Sequence, residues 1–318
     1  DFRRIDGAPG VQTAELVYHH TGVGQARVQL SCASTGAGAL TAPSTLAIGN
    51  IPVAATGGNF VTLGNSGPNA VEITSYSSPG GVFAVVGSTV PSILSAGASA
   101  NVIVLCSPLA VTSYAGSVTF TSTGGNRTVQ LTCAGVVPVL SAPPNVAFGP
   151  VRVGTSLDRS IAITNAGGAP LTITAASLDP DAVFAMVGTL PLTVAAGATS
   201  NLTVRCAPPS EGLHENTLQL DSNAGTTYVG LSCSGVVPRL AVSPSTVYFG
   251  PVAVHTPRTR DVTIRNTGSG ALTVTHVFAS GGAFSVSTVN VVLAPGATRV
   301  DAVTCRPFTA GNLGGYLE

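Results

Sequence analysis

The segment Asn201–Pro238, NLTVRCAPPSEGLHENTLQLDSNAGTTYVGLSCSGVVP, decides the fold of this chain. It holds two cysteines, Cys206 and Cys233, each at the end of a short run in which apolar and polar residues alternate. The same pattern stands 100 residues earlier, at Asn101–Pro138. Because a fixed period is the signature of a repeat architecture, we predict tandem domains of about 100 residues.

Alternation of apolar and polar residues runs through every repeat and predicts strands that are half-buried in a sheet. In Asn201–Cys206, for example, Leu202, Val204 and Cys206 share one face. About seven such runs fall in each repeat, without helical periodicity, which is typical of a β-sandwich. We therefore predict an all-β chain of tandem seven-stranded sandwiches. Full repeats are expected at residues 34–136 and 137–236, a repeat that lacks its last strand or strands at 237–318, and a partial repeat at 1–33.

The cysteine spacing favours disulfides over a metal site. Cys106 and Cys133 are 27 positions apart, and so are Cys206 and Cys233, whereas metal sites bring cysteines in close pairs. Each cysteine continues a row of core-facing Leu or Val. The two cysteines of a repeat end two different strands, which run in the same direction. We predict the disulfides Cys106–Cys133 and Cys206–Cys233, which join the two sheets in an oxidising compartment.

Short signals punctuate the strands of each repeat. Three Asn-x-Gly triplets begin at Asn65, Asn165 and Asn266, and Asn and Gly tolerate the left-handed backbone that connections between strands require. The connections between repeats read Gly-Val-Val-Pro. Because these connections are short and apolar, we expect a semi-rigid rod of domains. One phenylalanine per repeat is expected in the core: Phe83, Phe184 and Phe284.

Composition excludes several classes of function. The 318 residues carry a formal net charge of zero, only 8% of them are charged, and all 13 basic residues are arginine. This balance argues against nucleic-acid binding, which needs a concentrated basic face. We see no apolar run long enough to span a membrane. The lack of lysine, with abundant Ala, Gly, Val and Thr, suggests a GC-rich bacterial source.

No motif predicts catalysis. The chain has no G-x-S-x-G elbow, Walker loop or H-E-x-x-H sequence, and its carboxylates are scattered. His19 and His20 are adjacent on a strand and point to opposite faces, so they cannot jointly bind a metal. We expect no enzyme activity, catalytic residue, metal or cofactor, and the ligand-binding residues stay unknown.

One string resembles a known family. The pattern FGPV-x-VG, I-x-N-x-G, L-x-I at Phe148–Ile173, and again at Phe249–Val274, resembles the ASH (ASPM–SPD-2–Hydin) group of immunoglobulin-like domains. The first full repeat departs from it, with Ile48-Gly49-Asn50-Ile51 in place of Phe-Gly-Pro-Val. The resemblance implies an immunoglobulin-like fold. Bacterial relatives of the "choice-of-anchor D" type form arrays in secreted or surface proteins, whereas eukaryotic members serve cilia and centrosomes.

The two ends of the sequence hold partial repeats. Leu317 and Leu16 both align with Leu218, and VQLSC ending at Cys32 aligns with the last strand of a repeat. We therefore expect a hairpin equivalent to the last two strands of a repeat at about residues 14–33. Counting back, Arg4 aligns with Cys206, so residues 1–13 overlap what the third repeat already has.

Two accounts of these ends stay open. In one, the chain is a window on a longer array of repeats. In the other, copies join head to tail by strand complementation, with an intermolecular disulfide between Cys32 and Cys305. Asp301 aligns with the inward Leu202, so we expect it near the rim of the sandwich or on a strand shifted by one residue.

We therefore expect a structural, extracellular, bacterial protein that acts as a stalk, filament or surface-layer component. Its partners would be copies of itself or neighbouring repeats. The alternative is an adhesin-type binding module that presents loops to a glycan or protein, which exposed loop aromatics would favour.

Overall fold

The computed structural model describes residues 10–19, 22, 25–34, 36–87, 92–180, 183–275, 277–287 and 290–318. All regular secondary structure among these residues is β-strand. The chain divides into two compact units, Asp1–Val139 with Gly167–Pro170, and Leu140–Ala166 with Leu171–Glu318. Arg4 and His20 lie outside the described residues.

The first unit contains a hairpin followed by the first full repeat. The hairpin consists of β1 (Gly10–His19) and β2 (Gln25–Ser34) and begins a few residues earlier than predicted. The repeat has one sheet in the order β3-β5-β9-β7 and another in the order β4-β11-β10-β6-β8. Its strands are β3 (Leu40–Thr41), β4 (Thr45–Pro52), β5 (Gly57–Asn65), β6 (Val71–Tyr76), β7 (Phe83–Val86), β8 (Ser92–Leu94), β9 (Ser99–Cys106), β10 (Ser113–Ser122) and β11 (Arg127–Val136).

The second unit begins with a repeat of the same topology, with sheets β12-β14-β18-β16 and β13-β20-β19-β15-β17. Its strands are β12 (Leu140–Ser141), β13 (Asn145–Arg152), β14 (Leu157–Asn165), β15 (Leu171–Leu178), β16 (Phe184–Val187), β17 (Leu192–Val194), β18 (Thr199–Cys206), β19 (Gly212–Ser222) and β20 (Gly225–Val236). The third repeat follows with β21 (Leu240–Ser243), β22 (Arg258–Asn266), β23 (Leu272–Val274), β24 (Phe284–Val286), β25 (Val291–Leu293) and β26 (Thr298–Cys305).

The chain is all-β and built of tandem immunoglobulin-like sandwiches, as predicted. Each full repeat has nine strands among the described residues, where we predicted about seven. Each full repeat begins with two strands separated by Pro43 or by Pro143-Pro144, because proline has no N–H for the ladder. After the break the chain crosses to the other sheet, where β4 and β13 pair parallel with β11 and β20. The additional strands β8 and β17 are three residues long.

The Phe-Gly-Pro-Val string forms a bulge in this parallel ladder. The register of β13 against β20 skips Phe148, whose side chain turns into the core and is 2% exposed. Gly149 follows with φ of 77°, a value that suits glycine. In the first repeat, Gly49 has φ of 95° at the equivalent bulge. Ile48-Gly49 therefore forms the same bulge without phenylalanine.

The predicted alternation produces one apolar core per full repeat. In the second repeat the fully buried members come from both sheets, and Phe148 meets Phe184 edge to face with ring centroids 5.7 Å apart. Phe83 and Phe184 are buried as predicted, whereas Phe284 is only partly buried in the smaller third core.

The Asn-x-Gly triplets have a role that we did not predict. Asn65 is 3% exposed, and its Nδ2 donates to the carbonyls of Asn69 and Leu94 at 2.7 and 3.0 Å. Its Oδ1 accepts from the N–H groups of Ala39 and Gly67 at 3.2 and 3.0 Å. The side chain therefore supplies partners to four backbone groups that would otherwise be buried unpaired.

The prediction of a left-handed backbone in these triplets is wrong. Gly67 and Gly268 have no positive φ, since they are absent from the left-handed residues of the described chain. A Cβ on Gly67 would lie 2.5 Å from the oxygen of Ala37 and the nitrogen of Ala39. Glycine is needed because the incoming chain passes directly against it.

The expectation for Asp301 is also wrong. It opposes Val262 as Leu202 opposes Ile161, so the strand is not shifted, and Asp301 is 4% exposed. Its carboxylate accepts from Nε of Arg299 at 2.7 Å. Residues two apart on a strand share a face, so the neighbouring arginine compensates the buried charge.

We predict that Asn65→Ala lowers the free energy of unfolding by about 2–4 kcal/mol, because several buried backbone groups lose their partner. Urea unfolding followed by circular dichroism measures this loss. Asn126→Ala is the matched control, since Asn126 is exposed and makes a long 3.4 Å bond to Ser122 N. Equal effects of the two substitutions would contradict the assignment.

Candidate functional site

Two disulfides join the sheets of the full repeats. Cys106 on β9 bonds to Cys133 on β11, with Cα atoms 6.7 Å apart, and Cys206 on β18 bonds to Cys233 on β20, with Cα atoms 6.6 Å apart. All four residues are at most 5% exposed. Because each bridge connects one sheet to the other at the same end of the sandwich, it fixes how the two sheets pack.

The remaining two cysteines have no sulfur partner in the described structure. Cys32 on β2 is exposed, whereas Cys305 at the end of β26 is 5% exposed. Cys305 opposes Arg258 and Phe284, as Cys206 opposes Leu157 and Phe184. Cys305 therefore stands where a disulfide begins in the full repeats.

The third repeat has one complete sheet and one partial sheet among its described residues. The complete sheet is β21-β22-β26-β24, and the other contains β23 and β25 alone. Residues 246–253, which align with β13, form no strand. The reason is that β13 pairs with β20, and no described strand takes the place of β20 in the third repeat.

Leu317 lies where the alignment predicts. It forms an isolated antiparallel bridge with Ala279, equivalent to the pairing of Leu178 with Leu218 in the preceding repeat. Two backbone hydrogen bonds of 2.9 Å between Phe278 and Glu318 complete this contact. Leu317 is nevertheless 38% exposed, whereas Leu218 is fully buried.

A polar cluster, which we call the junction lock, connects the second and third repeats within the second unit. It consists of Glu211, Arg239 and Ser269. The Glu211 carboxylate accepts from Nη2 of Arg239 at 2.7 Å and from the hydroxyl of Ser269 by a short hydrogen bond. Ser269 Oγ in turn accepts from the N–H of Val237 at 3.1 Å. These bonds tie the loop before β19, the connection between the repeats and the turn after β22 together.

Electrostatics favour the ionised lock. The hydrogen bond from Ser269 and then that from Arg239 hold the pKa of Glu211 below its usual value of 4.5. A second such pair lies on the outer face of the second repeat, where the hydrogen bond from Arg205 lowers the pKa of Asp158. Both carboxylates are therefore charged at neutral pH.

Gly235, at the start of the connection between the second and third repeats, explains why the Gly-Val-Val-Pro sequence begins with glycine. A Cβ on Gly235 would overlap the carbonyl oxygen of Ser210, so the connection can pass this loop only with glycine. The same carbonyl accepts from the ring Nε2 of His214 when that nitrogen is protonated, with a distance of 3.0 Å. The loop that carries Glu211 is thus held from two sides.

Sequence reasoning missed the junction lock. Its only signal was a pair of opposite charges, Glu211 and Arg239, on either side of the connection in a chain with 8% charged residues. No group of three His, Cys, Asp or Glu side chains comes together in the part of the chain that the structure describes. No helix in that part is long and apolar enough to cross a membrane.

Comparisons with known families match two of the repeats. Residues 134–228 match the family model of ASH, the "Abnormal spindle-like microcephaly-assoc'd, ASPM-SPD-2-Hydin" domain. Residues 238–315 match that of the HYDIN/CFA65/VesB-like Ig-like domain. Two repeats of the chain are therefore similar to ASH-type and HYDIN-type immunoglobulin-like domains, in agreement with the resemblance read from the sequence.

This chain spans only a small part of the curated relative that it matches. It is 31% identical over 153 residues to cilia- and flagella-associated protein 74 of Chlamydomonas reinhardtii, covering 42% of this chain and 8% of that protein. Among solved structures, the ASH/PapD-like domain of human CEP192 is 12% identical, with 37% of this chain and 97% of that chain covered and a TM-score of 0.27. The protocadherin PcdhgB3 EC1-4 is 12% identical, with 97% and 86% covered and a TM-score of 0.32.

We predict that replacing both Cys206 and Cys233 by alanine lowers the free energy of unfolding of the second repeat by about 3–4 kcal/mol, as expected for a closed loop of this size. Thermal unfolding by calorimetry measures the change. The double substitution of Cys32 and Cys305 by serine is the control, since neither is bridged in the structure. A double alanine variant as stable as the native chain would contradict the role of the bridge.

Proposed function

We propose that this chain is a non-enzymatic structural protein whose immunoglobulin-like repeats act as a spacer in a stalk, filament or surface layer outside the cell. The observation that carries the proposal is the junction lock. Glu211, Arg239 and Ser269 use side chains of two successive repeats to hold the connection between them. Such a lock has value only where the orientation of neighbouring domains matters, as it does in a spacer.

Asn266 supports the same role by fixing the end of the connection. Its Oδ1 accepts from the N–H of Arg239 at 3.3 Å, and its Nδ2 donates to the carbonyls of Gly270 and Leu293 at 2.7 and 3.0 Å. Asn266 itself is fully buried. The connection is therefore bound by the lock and by the core of the third repeat.

The disulfides and the relatives bear on where the protein works. Buried, sheet-joining disulfides are typical of proteins in oxidising compartments, which supports an extracellular site. The Chlamydomonas relative is by name cilia- and flagella-associated, which supports a scaffold role in general. That relative is eukaryotic, so the bacterial source stays a prediction from composition.

The adhesin alternative gains no support from the exposed aromatic residues. In the third repeat Tyr248, Phe278, Phe308 and Tyr316 are 82%, 50%, 55% and 66% exposed, and in the full repeats Phe60 and Tyr228 are 54% and 61% exposed. Tyr248 lies in the segment aligned with β13 that has no strand partner. The exposed aromatic side chains are therefore spread over three repeats, and Phe60 and Tyr228 lie within strands, so they do not mark one set of binding loops.

We expect Glu211→Gln to increase hydrogen–deuterium exchange of the connection 237–239 several-fold at neutral pH, because the charged partner of Arg239 is lost. Mass spectrometry of the full chain measures this exchange. Glu215→Gln is the control, since Glu215 lies on β19 outside the lock. Unchanged protection in Glu211→Gln would refute the stiffening role.

The same variant gives a test of pH. A carboxyl with a lowered pKa stabilises the folded form above its unfolded pKa, and this stabilisation is lost as the pH falls through the folded value. The difference in stability between the native chain and Glu211→Gln should therefore be full at pH 7, decrease as the pH falls below the usual value of 4.5, and vanish below the lowered pKa of Glu211 in the folded chain. A difference that persists in acid would show that the charge of Glu211 is not the cause.

The extracellular site has its own test. Protein isolated from its source with free thiols blocked at lysis should contain Cys106–Cys133 and Cys206–Cys233 as disulfides on non-reducing peptide mapping. Recovery of these four cysteines as blocked thiols would place the protein in a reducing compartment.

A further inference from the structure

Two triplets of the sequence have the form Asn-x-Thr without proline at the middle position. They are Asn126-Arg127-Thr128 and Asn201-Leu202-Thr203. This form is the acceptor sequence for N-linked glycosylation, in which a sugar is joined to the side-chain amide of asparagine. Such triplets also arise by chance in a chain rich in threonine, so the structure is needed to tell an acceptor from a chance match.

The first triplet lies on the surface of the first repeat, and all three of its residues are exposed. Asn126 is in the turn between β10 and β11, and Arg127 and Thr128 begin β11. Another side chain holds this turn, since the hydroxyl of Ser122 donates to the carbonyl of Gly125 at 2.7 Å. The turn therefore presents Asn126 to solvent without depending on its amide.

The amide nitrogen of Asn126 is the atom that a sugar would be joined to, and it is accessible. Oδ1 of Asn126 accepts from the N–H of Ser122 at 3.4 Å, a long distance. Nδ2 forms no hydrogen bond with any residue that the structure describes. The hydroxyl of Thr128 lies 2.9 Å from that of Thr119, directly opposite on β10, and stays on the surface of the hairpin. Both groups of the acceptor sequence are thus within reach in the folded chain.

The second repeat shows that this turn does not need an asparagine. In its β19–β20 turn, the hydroxyl of Ser222 donates to the carbonyl of Gly225 at 2.8 Å, as in the first repeat. Thr226 takes the place of Asn126, and its hydroxyl donates to the carboxylate of Asp221 at 2.8 Å. Folding of the turn therefore accounts for the serine and the glycine but not for the asparagine.

The second triplet is explained by the strand in which it lies. Asn201 is on β18, where Leu202 is 6% exposed and Thr203 is half-buried. The first repeat has Asn101 at the same position of its strand, without a threonine two residues later. Oδ1 of Asn101 accepts from the hydroxyl of Thr62 at 2.8 Å. The asparagine therefore recurs at this position without the acceptor sequence, and burial of Leu202 holds the triplet in the sheet.

We propose that Asn126 carries an N-linked glycan. The inference rests on the extracellular site proposed above, because this acceptor sequence is used in secreted proteins. The sugar donor is a lipid-linked oligosaccharide. A transferase forms the bond between Nδ2 of Asn126 and the anomeric carbon C1 of the sugar, while the bond from C1 to the lipid diphosphate breaks. Nδ2 releases one proton, and the lipid diphosphate is the leaving group.

A glycan on this turn compensates for the low charge of the chain. Only 8% of the residues are charged and the formal net charge is zero, a composition that favours association and precipitation. An N-linked sugar is bulky and increases solubility. The N–H of Leu40 donates to the carbonyl of Gly124 at 3.0 Å, so the turn is fixed beside the chain that enters the repeat. The sugar therefore covers the entry side of the first repeat.

The first experiment uses protein isolated from its source. Its peptides are treated with peptide:N-glycosidase in heavy-oxygen water, which converts a glycosylated asparagine into an aspartate that carries the heavy oxygen. Mass spectrometry should find this label at Asn126. Recovery of the Asn126 peptide without the label, or of the label at Asn201 alone, would overturn the proposal.

Disulfide mapping of the same sample separates this proposal from the one on which it rests. An unlabelled Asn126 together with intact Cys106–Cys133 and Cys206–Cys233 bridges would refute the glycan and leave the extracellular site supported. Free thiols at these four cysteines with an unlabelled Asn126 would refute both. The spacer role is judged separately, by the exchange of the connection in Glu211→Gln.

Variants of the full chain, secreted from a eukaryotic host, test whether the triplet directs the modification. The native chain and Thr128→Ser should run faster on gels after treatment with the glycosidase, because serine keeps the acceptor sequence. Thr128→Ala and Asn126→Gln should show no such change. Asn201→Gln is the matched control and should behave as the native chain. A mobility change that persists in Asn126→Gln and is lost in Asn201→Gln would contradict the assignment.

Discussion

One buried asparagine per repeat holds the architecture together. Asn65, Asn165 and Asn266 each end the central strand of their first sheet and are at most 3% exposed. Their side-chain amides bind the carbonyl that ends a short strand of the other sheet, at Leu94, Val194 and Leu293. The backbone N–H and C=O groups of the three asparagines form hydrogen bonds with the turn that follows this short strand. In the first and third repeats the same side chain also binds the incoming connection. One asparagine side chain therefore fixes the incoming connection, the end of the short strand and the turn after it. Loss of some of its hydrogen bonds would leave several polar atoms unpaired in an apolar core.

Charge is used sparingly, and three ion pairs are formed among the described residues discussed above. The junction lock lies at the connection, the Asp158–Arg205 pair on an outer sheet face, and the Arg299–Asp301 pair at the partial third core. The first two are exposed, where ion pairs contribute little to stability. The junction lock therefore matters for orientation, while burial of Val, Leu and Ile together with the disulfides accounts for the stability of each repeat.

The sequence allowed the period, the sandwich class and the core faces to be predicted, because alternation of apolar residues reports burial directly. Leu202, Val204 and Cys206 face inward as the pattern requires. The pattern failed where a long-range polar contact decides the structure. The function of Asn65 depends on groups 26 to 29 residues away, and the Glu211–Arg239 contact spans 28. The position of Asp301 was predicted wrongly because periodicity alone does not allow a carboxylate at a core-facing position. Arg299, two residues earlier on the same face, compensates this carboxylate with a hydrogen bond.

The parallel pairing of β13 with β20 sets how a full repeat responds to tension. The chain enters the repeat through the two residues of β12, which pair with the end of β14, and then runs into β13. The start of β13 and the end of β20, where the chain leaves, lie at opposite ends of the parallel ladder. Pulling on the two neighbours of a repeat therefore slides the strands along each other. All the hydrogen bonds from Asn145 to Arg152 are then strained together and must break at once, whereas an antiparallel terminal pair would open one bond at a time. Behind this ladder, Cys206–Cys233 keeps the intervening residues out of the extensible length. The parallel pairing of β13 with β20 thus places this ladder in shear whenever the two ends of a full repeat are pulled apart.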